Sequence, residues 1–237
     1  MNIGIVVQAR VSSVRLPGKV LMPLAGKAVL ARLVERLKRI GSIGRGAHRK
    51  GEALPIVVAT SRAPEDDAVE ALTRSLGVGC YRGSLDDVAA RLSEAARQAG
   101  FAAFVRVNAD SPLLDPALIE HAYTLYLDGG YDVVSNVFPR SFPKGMSVEL
   151  IAMEAMERVL ESTDDAQDRE HVTRFIYANS DRFRIRNFTA PRSRPDLQLS
   201  IDTREDFACI EACVKRLGAR ALEAGWEEIA DCVEARA

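Results

Sequence analysis

Residues 3–19 read IGIVVQARVSSVRLPGK, and two patterns in this stretch decide the fold. The run Ile3–Gln8 is short, apolar and rich in β-branched residues, which predicts a buried strand. The loop that follows it combines three cations with two hydroxyls, namely Arg10, Arg15, Lys19, Ser12 and Ser13. Such a loop can direct backbone N–H groups, hydroxyls and cations towards one phosphate chain. An exposed basic loop is the alternative on composition alone.

Further along the chain, short apolar runs alternate with helical patterns, which is typical of βα units around a mostly parallel sheet. The predicted strands after the first are Ile56–Thr60, Val78–Arg82 and Phe104–Asn108. The predicted helices are Val29–Ile40 and Pro64–Leu76, then one that begins with a capping box of Ser84 and Asp87, and one with Asp115 as N-cap before Pro116. We therefore predict an α/β fold.

The rhythm changes after residue 130. Strands Val133–Asn136 and Ser147–Ile151 are predicted to bracket a loop rich in Pro and Arg, Val137–Met146. The later predictions are helices Ala152–Ser162 and Asp168–Ala178, strand Gln198–Ile201, helix Thr203–Arg216 with a capping box of Thr203 and Asp206, and a helical tail Leu222–Ala235. The basic segment Gly41–Glu52 is expected to be a solvated insertion rather than a site.

Composition excludes several classes of protein. Of 237 residues, 47% are hydrophobic, so a sizeable core is expected. The 32 Lys and Arg residues are balanced by 33 Asp and Glu residues, and no overall basic field for nucleic acid is available. No apolar run approaches the roughly 20 residues that span a bilayer, and the start of the chain lacks the pattern of a signal peptide. The four cysteines lack zinc spacing, so we expect free thiols in the cytoplasm.

Two acids are expected at the edge of the sheet where ligands bind in open α/β folds, beyond the carboxyl ends of the strands. Asp110 follows the strand that ends at Asn108, and Asp202 follows the last predicted strand. Together they could hold a magnesium ion beside the phosphates. Each acid alone is often a helix cap; for Asp202 the two interpretations are equally weighted, and for Asp206 the capping role is favoured.

The motif Gln-Ala-Arg-x-x-Ser-x-Arg-Leu-Pro-Gly-Lys at 8–19 is neither GxxxxGK[ST] nor GxGxxG, which counts against a P-loop ATPase and a Rossmann dehydrogenase. It resembles the signature loop of the cytidylyltransferase family, and within it the spore coat polysaccharide biosynthesis protein F group. Further matching segments include Asn108–Leu114, Phe142–Glu149, Arg169-Glu170-His171-Val172-Thr173 and Ile201–Phe207. This chain departs at Val11-Ser12, where Met-Gly is usual, and at Val14, where Thr is common.

The resemblance implies a single cytidylyltransferase-like domain over 1–237 with a three-layer GT-A-like (Rossmann-like) fold. It also implies CTP as donor, Mg2+ as cofactor and transfer of CMP to a sugar acid or related hydroxyl acceptor. By position, Arg10, Ser13, Arg15 and Lys19 would hold the triphosphate, and Asp110 and Asp202 the metal. The nucleotide would further contact Gln8, Ala9, Ala59, Thr60, Ser61, Arg82, Gly83 and Asn108.

The acceptor is expected near residues 137–180, a segment of loop and helices that would also form a symmetric homodimer. The candidate acceptor-binding residues are Arg140, Lys144, Glu149, Arg169 and His171. For His171, a role as general base and a purely structural role are equally weighted. A solvated hairpin with incidental charges is the alternative for 137–149. Neither nucleic acid nor a membrane is expected as a partner.

Two competing functions remain at this stage. A GT-A glycosyltransferase would use Asn108-Ala109-Asp110 as a degenerate Asp-x-Asp, but it would not need a Leu-Pro-Gly-Lys loop on a triphosphate tail. A catalytically silent nucleotide-binding protein would keep the fold and lose the chemistry, for which the changes at Val11 and Ser12 are the argument.

Overall fold

The structure is a computed structural model that describes residues 2–40 and 53–235. Its centre is a seven-stranded sheet with helices on both sides. The sheet strands are β1 Ile3–Gln8, β4 Ile56–Ser61, β5 Gly79–Gly83, β6 Ala103–Asn108, β7 Val133–Ser135, β8 Glu149–Ala152 and β9 Ile185–Asn187. A separate hairpin consists of β2 Pro23–Leu24 and β3 Lys27–Ala28. The predicted insertion Gly41–Glu52 lies outside the described residues.

The helices follow the predicted alternation with the strands. They are α1 Val29–Leu37, α2 Asp67–Ser75, α3 Val88–Gln98, α4 Pro116–Gly129, α5 Met153–Ser162, α6 Ala166–Glu170, α7 Arg174–Ala178, α8 Arg204–Leu217 and α9 Trp226–Glu234. Short 3₁₀ turns occupy Lys19–Leu21, Pro64–Asp66, Ser180–Arg182 and Gly218–Leu222. Along the described chain, no helix is both long enough and apolar enough to cross a membrane.

The strand order is β5-β4-β1-β6-β8-β7-β9. β1 pairs in parallel with β4 and β6, and β9 pairs in parallel with β7, whereas β8 runs antiparallel to both of its neighbours. The sheet is therefore mixed but mostly parallel, which confirms the predicted α/β fold. Although β8 belongs to the segment 137–180, it lies inside the sheet between β6 and β7, so part of this segment is integral to the core.

β1 lies in the middle because its sequence can be buried on both faces. Ile3, Ile5, Val6 and Val7 are at most 3% exposed, and Gly4 faces the ring of Phe101 so closely that a Cβ would lie 2.1 Å from it. Gln8 ends the strand beside Asn108, its register partner on β6. The loops after β1 and β6 therefore leave the sheet side by side.

Two of the predicted elements are wrong. The predicted helix Asp168–Ala178 is interrupted, because Val172 adopts a φ of 28° and separates α6 from α7. No strand forms over Gln198–Ile201, because its backbone bonds are divided between two partners. Leu199 N–H donates to Lys144 O at 2.8 Å, while Ile201 N–H donates to Asp110 O at 2.8 Å.

The predicted caps hold with one exception. Asp115 accepts from Ala117 N–H, and Thr203 and Asp206 form a reciprocal capping box at the start of α8. Ser84 is not an N-cap: its hydroxyl accepts from Asp87 N–H, and Asp87 itself caps α3 by accepting from Ala90 N–H. The short strands β2, β3 and β9 have no counterpart among the predicted elements. The other differences are of one to four residues at element ends; the helical tail, for example, begins at Trp226 after a 3₁₀ turn.

Candidate active site

A cleft of about 350 Å³ opens at the carboxyl ends of β1 and β6. Nine of the predicted site residues line it, and five of those are cations or acids of the loops after the strands. The lining is Gln8, Arg10, Ser13, Val14, Arg15, Lys19, Val20, Arg106, Asn108, Ala109, Asp110, Glu170, His171 and Asp202. The cationic loop, the strand-end acids and the Glu170-His171 pair thus converge on one site, as the βα pattern predicts.

Lys19 lies at the base of the cleft, and only 8% of its surface is exposed to solvent. Its ammonium donates to Asp110 Oδ2 at 2.7 Å, to Asp202 Oδ1 at 3.0 Å and to the carbonyl oxygen of Ile201 at 2.7 Å. All three donor positions of the ammonium are filled. Two carboxylates that are remote in sequence therefore meet at one buried cation.

The loop that carries Lys19 is held by its own backbone and by one buried acid. Gly18 has a φ of 74°, which favours glycine, and its N–H donates to Val11 O at 2.9 Å. Asp66 accepts from Val11 N–H at 2.7 Å and from Ser61 N–H at 3.0 Å, so it ties the loop to the end of β4. Since neither Val11 nor Ser12 has a positive φ, losing the family's usual glycine at position 12 causes no backbone strain.

Asp202 reaches the site because the chain before it passes tightly over Gly145. A Cβ on Gly145 would lie 2.5 Å from the backbone of Leu199, and Gly145 has a φ of 94°. Asp202 is not the cap of α8, since Thr203 has that role. Its carboxylate instead accepts from Lys19 and pairs with Arg15 at 2.9 Å.

The upper wall of the cleft contains the other loop cations. Arg15 is largely exposed, with 66% of its side chain open to solvent, and Val14 beside it is 94% exposed. Arg10 pairs with Glu170 at 3.6 Å across the cleft. Ser13 and His171 complete this wall. The wall thus presents two cations that each pair with one acid of the site and keep part of their side chains exposed.

The predicted nucleotide-binding residues divide into two groups. Gln8 and Asn108 line the cleft, and Gln8 Oε1 is buried without a hydrogen-bond partner among the described residues. The others are packing or bracing groups rather than cleft walls. They are Ala9, Ala59 and Thr60, which are buried; Ser61, whose hydroxyl donates to Asp66; Arg82, which bonds Asp67, Glu70 and two carbonyl oxygens; and Gly83, which lies against Arg91.

The predicted acceptor-binding residues are also divided. Of this set, only His171 lines the cleft. Arg140 donates to Ser147 Oγ at 3.0 Å, and Lys144 is exposed outside it. Glu149 is buried against Arg106 at 2.7 Å.

Arg169, the last of this set, lines a second cleft of about 450 Å³ that adjoins the first at Arg10 and Glu170. Its guanidinium is braced from several sides by its own neighbourhood. It pairs with Asp87 at 3.3 Å and Asp164 at 2.9 Å, and it donates to the carbonyl oxygens of Leu160 and Thr163. These bonds fit a residue that shapes the wall between the two clefts.

Sequence reasoning missed three residues of the site. Arg106 and Glu170 line the cleft, and Asp66 holds its loop. A signal for Arg106 exists, because residues 106, 108 and 110 alternate along β6 and its loop and so share a face. Asp66 carries no such signal, because an acid in the first turn of a helix is common without any further role.

The donor set fits a divalent cation. Asp110 and Asp202 approach closely enough to share one ammonium, and carboxylate oxygens are the hard ligands that Mg2+ requires. Within residues 2–40 and 53–235, no cluster of three or more His, Cys, Asp and Glu residues could hold a metal ion by itself. Two carboxylates completed by phosphate oxygens are nevertheless the usual magnesium arrangement at nucleotide sites.

Comparisons with known proteins identify relatives that match most of this chain. Spore coat polysaccharide biosynthesis protein SpsF of Bacillus subtilis (strain 168) is 30% identical over 92% of this chain and 89% of its own length. The uncharacterized protein MJ1063 of Methanocaldococcus jannaschii is 34% identical over 87% of this chain and 81% of its own.

Two solved structures share the fold of this chain. A cytidylyltransferase from Leptospira borgpetersenii serovar Hardjo-bovis has a TM-score of 0.89 at 27% identity, covering 100% of this chain and 95% of that one. CMP:2-keto-3-deoxy-manno-octonic acid synthetase, solved in complex with CTP, shares the fold with a TM-score of 0.67 at 16% identity, over 91% of this chain and 99% of that one. The family model for cytidylyltransferases matches residues 4–229. This chain belongs to the cytidylyltransferase family.

Proposed function

We propose that this protein transfers CMP from CTP to a hydroxyl group of a sugar acid or a related acceptor, with release of pyrophosphate, in the biosynthesis of activated sugars or surface polysaccharides. The observation that carries the proposal is the contact of Lys19 with both Asp110 and Asp202 at the base of a cleft walled by Arg10, Ser13 and Arg15. Spore coat and sugar acid enzymes among its relatives support the substrate class.

The reaction is an in-line displacement at the α-phosphorus, in which positioning and charge neutralisation provide most of the acceleration. The acceptor oxygen forms the new bond to the α-phosphorus as the bond to the β-phosphate oxygen breaks. Lys19 and Arg15 offset the charge that develops on the phosphate oxygens, and Ser13 and Arg10 orient the triphosphate. Each such donor contributes about 100- to 1000-fold in rate.

Asp110 and Asp202 would hold the Mg2+ ion of the nucleotide. When bound, this ion would supply Lewis-acid stabilisation of the phosphate charge. On binding CTP, Lys19 exchanges part of its carboxylate contact for phosphate oxygens. The acceptor proton leaves to solvent or to His171, which lies on the cleft wall where an acceptor hydroxyl would enter.

Residues 1–237 are proposed to form one catalytic domain that works in the cytoplasm as a homodimer. The face proposed for the dimer is the loop after β7, where Phe138 stacks on Tyr177 at 4.7 Å and remains 39% exposed. Sedimentation at assay concentrations should give twice the chain mass. A monomer there would remove the dimer and leave the chemistry untouched.

The function is tested by pyrophosphate release from CTP, ATP, GTP and UTP with a panel of sugar acids. CTP should be preferred, and EDTA should abolish turnover until Mg2+ is restored. Equal use of the four nucleotides would contradict the assignment of the base, and activity in EDTA would contradict the metal. A rise in melting temperature with CTP and Mg2+ but no pyrophosphate with any acceptor would favour a silent nucleotide-binding protein.

A further inference from the structure

A row of polar side chains crosses three neighbouring strands behind the cleft. Arg106 on β6 is the register partner of Glu149 on β8, which is in turn the register partner of Ser135 on β7. Arg106 Nη1 donates to Glu149 Oε2 at 2.7 Å. The hydroxyl of Tyr177 donates to Glu149 Oε1 at 2.6 Å and lies 2.8 Å from Ser135 Oγ. These four side chains form one continuous hydrogen-bonded network.

The network is partly exposed at Arg106 and at Tyr177 and is buried between them. Glu149 is 5% exposed and Ser135 is fully buried, whereas the side chain of Arg106 keeps 15% of its surface and lines the cleft. A buried ion pair is weak evidence for stability, because desolvation of both charges offsets their attraction. Apolar residues would fill the same row at lower cost. A function at Arg106, the member that lines the cleft, accounts for the network better than stability does.

Arg106 also keeps unused hydrogen-bonding capacity. Its Nε is buried and has no hydrogen-bond partner among the described residues. A guanidinium carries five N–H donors, and Glu149 takes only part of them. Because Nε is itself buried, an anionic group in the cleft would meet the remaining Nη hydrogens of Arg106.

The charge around Glu149 favours an anion. The negative charge of Glu149 acts on Arg140 as well as on Arg106: burial lowers the pKa of Arg140, and Glu149 opposes that shift. Glu149 forms its ion pair with Arg106, and Arg140 adds a second positive charge nearby. Arg140 itself is engaged with Ser147 Oγ, so Arg106 is the member of the pair that lines the cleft.

We propose that Arg106 binds the anionic group of the acceptor, a carboxylate or a phosphate, and that Glu149 and Tyr177 are positioning residues that fix its guanidinium. This inference rests on the proposed function. It changes the assignment made from sequence, in which Arg140 and Glu149 contact the acceptor themselves.

The triphosphate would be a second anion in the cleft. The position of Arg106 favours the acceptor's anionic group over the triphosphate as its partner. The loop cations and both acids lie at or beyond the carboxyl ends of β1 and β6. Arg106 precedes Asn108 by two residues, about 7 Å of strand, towards the interior of the sheet and on the side of β8. An acceptor that extends from the α-phosphate towards β8 would bring its anionic group to Arg106.

The test uses the full-length protein with saturating CTP and Mg2+, and pyrophosphate release as the readout. Wild type is first given sugar acids with a free carboxylate, their uncharged alcohol analogues and sugar phosphates. The best acceptor and its uncharged analogue are then compared across variants. Arg106→Gln removes the charge; because it leaves Glu149 buried and unpaired, the double variant Arg106→Gln/Glu149→Gln is made as well, since it keeps a neutral hydrogen-bonded pair.

Loss of Arg106 should raise the acceptor KM by about 10- to 100-fold, as expected for a lost charge-assisted hydrogen bond, with the CTP KM within about twofold of wild type. The preference for the charged acceptor over its uncharged analogue should disappear. Arg106→Lys should restore part of it. Tyr177→Phe, which keeps the ring stacked on Phe138, should raise the acceptor KM by about threefold with kcat unchanged. The matched control is Arg97→Gln, an exposed arginine on α3 paired with Glu157.

The outcomes separate the possible failures. An unchanged acceptor KM in the folded variants would overturn the inference, and so would a CTP KM that rises in parallel, which would assign Arg106 to the triphosphate. Arg106→Lys and Tyr177→Phe also test the inference, and they do so even where the charge-removing variants do not fold. If both of these variants keep the wild-type acceptor KM and the wild-type preference for the charged acceptor, the inference is overturned. If wild type releases no pyrophosphate with any acceptor, the proposed function fails and the inference fails with it.

Discussion

Lys19 and Arg36 are both buried cations, yet their surroundings differ in kind. Arg36 on α1 is 1% exposed and donates to three carbonyl oxygens, those of Leu114, Ala221 and Ala224, at 2.6 to 3.0 Å. Burial lowers its pKa to about 10. Lys19 has a similar degree of burial, but two of its three acceptors are carboxylates that line a cleft.

The difference shows how to separate a structural cation from a functional one. The main-chain acceptors of Arg36 cannot leave, so that site is closed and joins α1 to the loops before α4 and α9. The contacts between Lys19 and its carboxylates can be replaced, because a phosphate can bind the ammonium and a metal ion can bind the two acids. Substitution at the two positions should therefore affect different measurements.

The largest effect is expected for Lys19→Ala. Without the ammonium, the charge that develops on the phosphates is not offset, and kcat/KM should fall by about 100- to 1000-fold in a pyrophosphate assay. Lys27→Ala is the matched control, because Lys27 is exposed and pairs only with Glu35 in the contacts that the structure describes. Near wild-type turnover in Lys19→Ala would show that this cation is structural, like Arg36.

The next effect is on stability and concerns Arg36→Met. Three buried carbonyl oxygens would lose their donors, which should cost about 3 kcal/mol of the free energy of unfolding and lower the melting temperature by about 6 to 12 °C. Well below that temperature kcat and KM should be unchanged. Arg97→Met is the control, since Arg97 is exposed and its surface pair with Glu157 should contribute at most about 1 kcal/mol. A kinetic defect in folded Arg36→Met would contradict the comparison.

Asp202→Asn should have a smaller kinetic effect than loss of Lys19. It weakens one of two carboxylate ligands but keeps an oxygen in place, so a loss of about 10- to 100-fold in kcat/KM is expected, with a higher Mg2+ concentration needed for half-maximal rate. A magnesium titration at saturating CTP measures both. An unchanged titration curve would remove Asp202 from the metal site.

The sequence predicted the elements and site residues that depend on local residue patterns. β1, β4 and β6 are continuous apolar runs, and their predicted ends agree with the structure to within one residue. The cations and acids of the cleft could be placed together because parallel strands bring their carboxyl ends to one edge. Arg10, Ser13, Arg15, Lys19, Asp110 and Asp202 all line the cleft.

What escaped prediction depends on contacts between distant segments. The alternation along β6 could place Arg106 on the cleft face, but its pairing with Glu149 depends on β8, which brings that acid opposite it. The break at Val172 has neither glycine nor proline to announce it, since a β-branched residue rarely adopts a positive φ. Arg82 was assigned to the nucleotide by position, but its guanidinium is engaged by Asp67 and Glu70 of α2, a choice set by the packing of a neighbouring helix.

The smallest effect is expected at Asp206, four residues from Asp202 and in the same loop-helix junction. Its Oδ2 accepts from Thr203 N–H at 2.8 Å and from Asp202 N–H at 3.0 Å, while its own N–H donates to Thr203 Oγ1. Asp206→Ala should therefore cost about 1 kcal/mol, the usual value of an N-terminal cap, and lower the melting temperature by about 2 to 4 °C. Because Asp202 is also held by Lys19 and Arg15, it should keep its place, and the magnesium titration should match wild type. If Asp206→Ala shifts that titration as far as Asp202→Asn does, the cap and the metal ligand act as one unit at this junction. The distinction between structural and functional side chains would then not hold there.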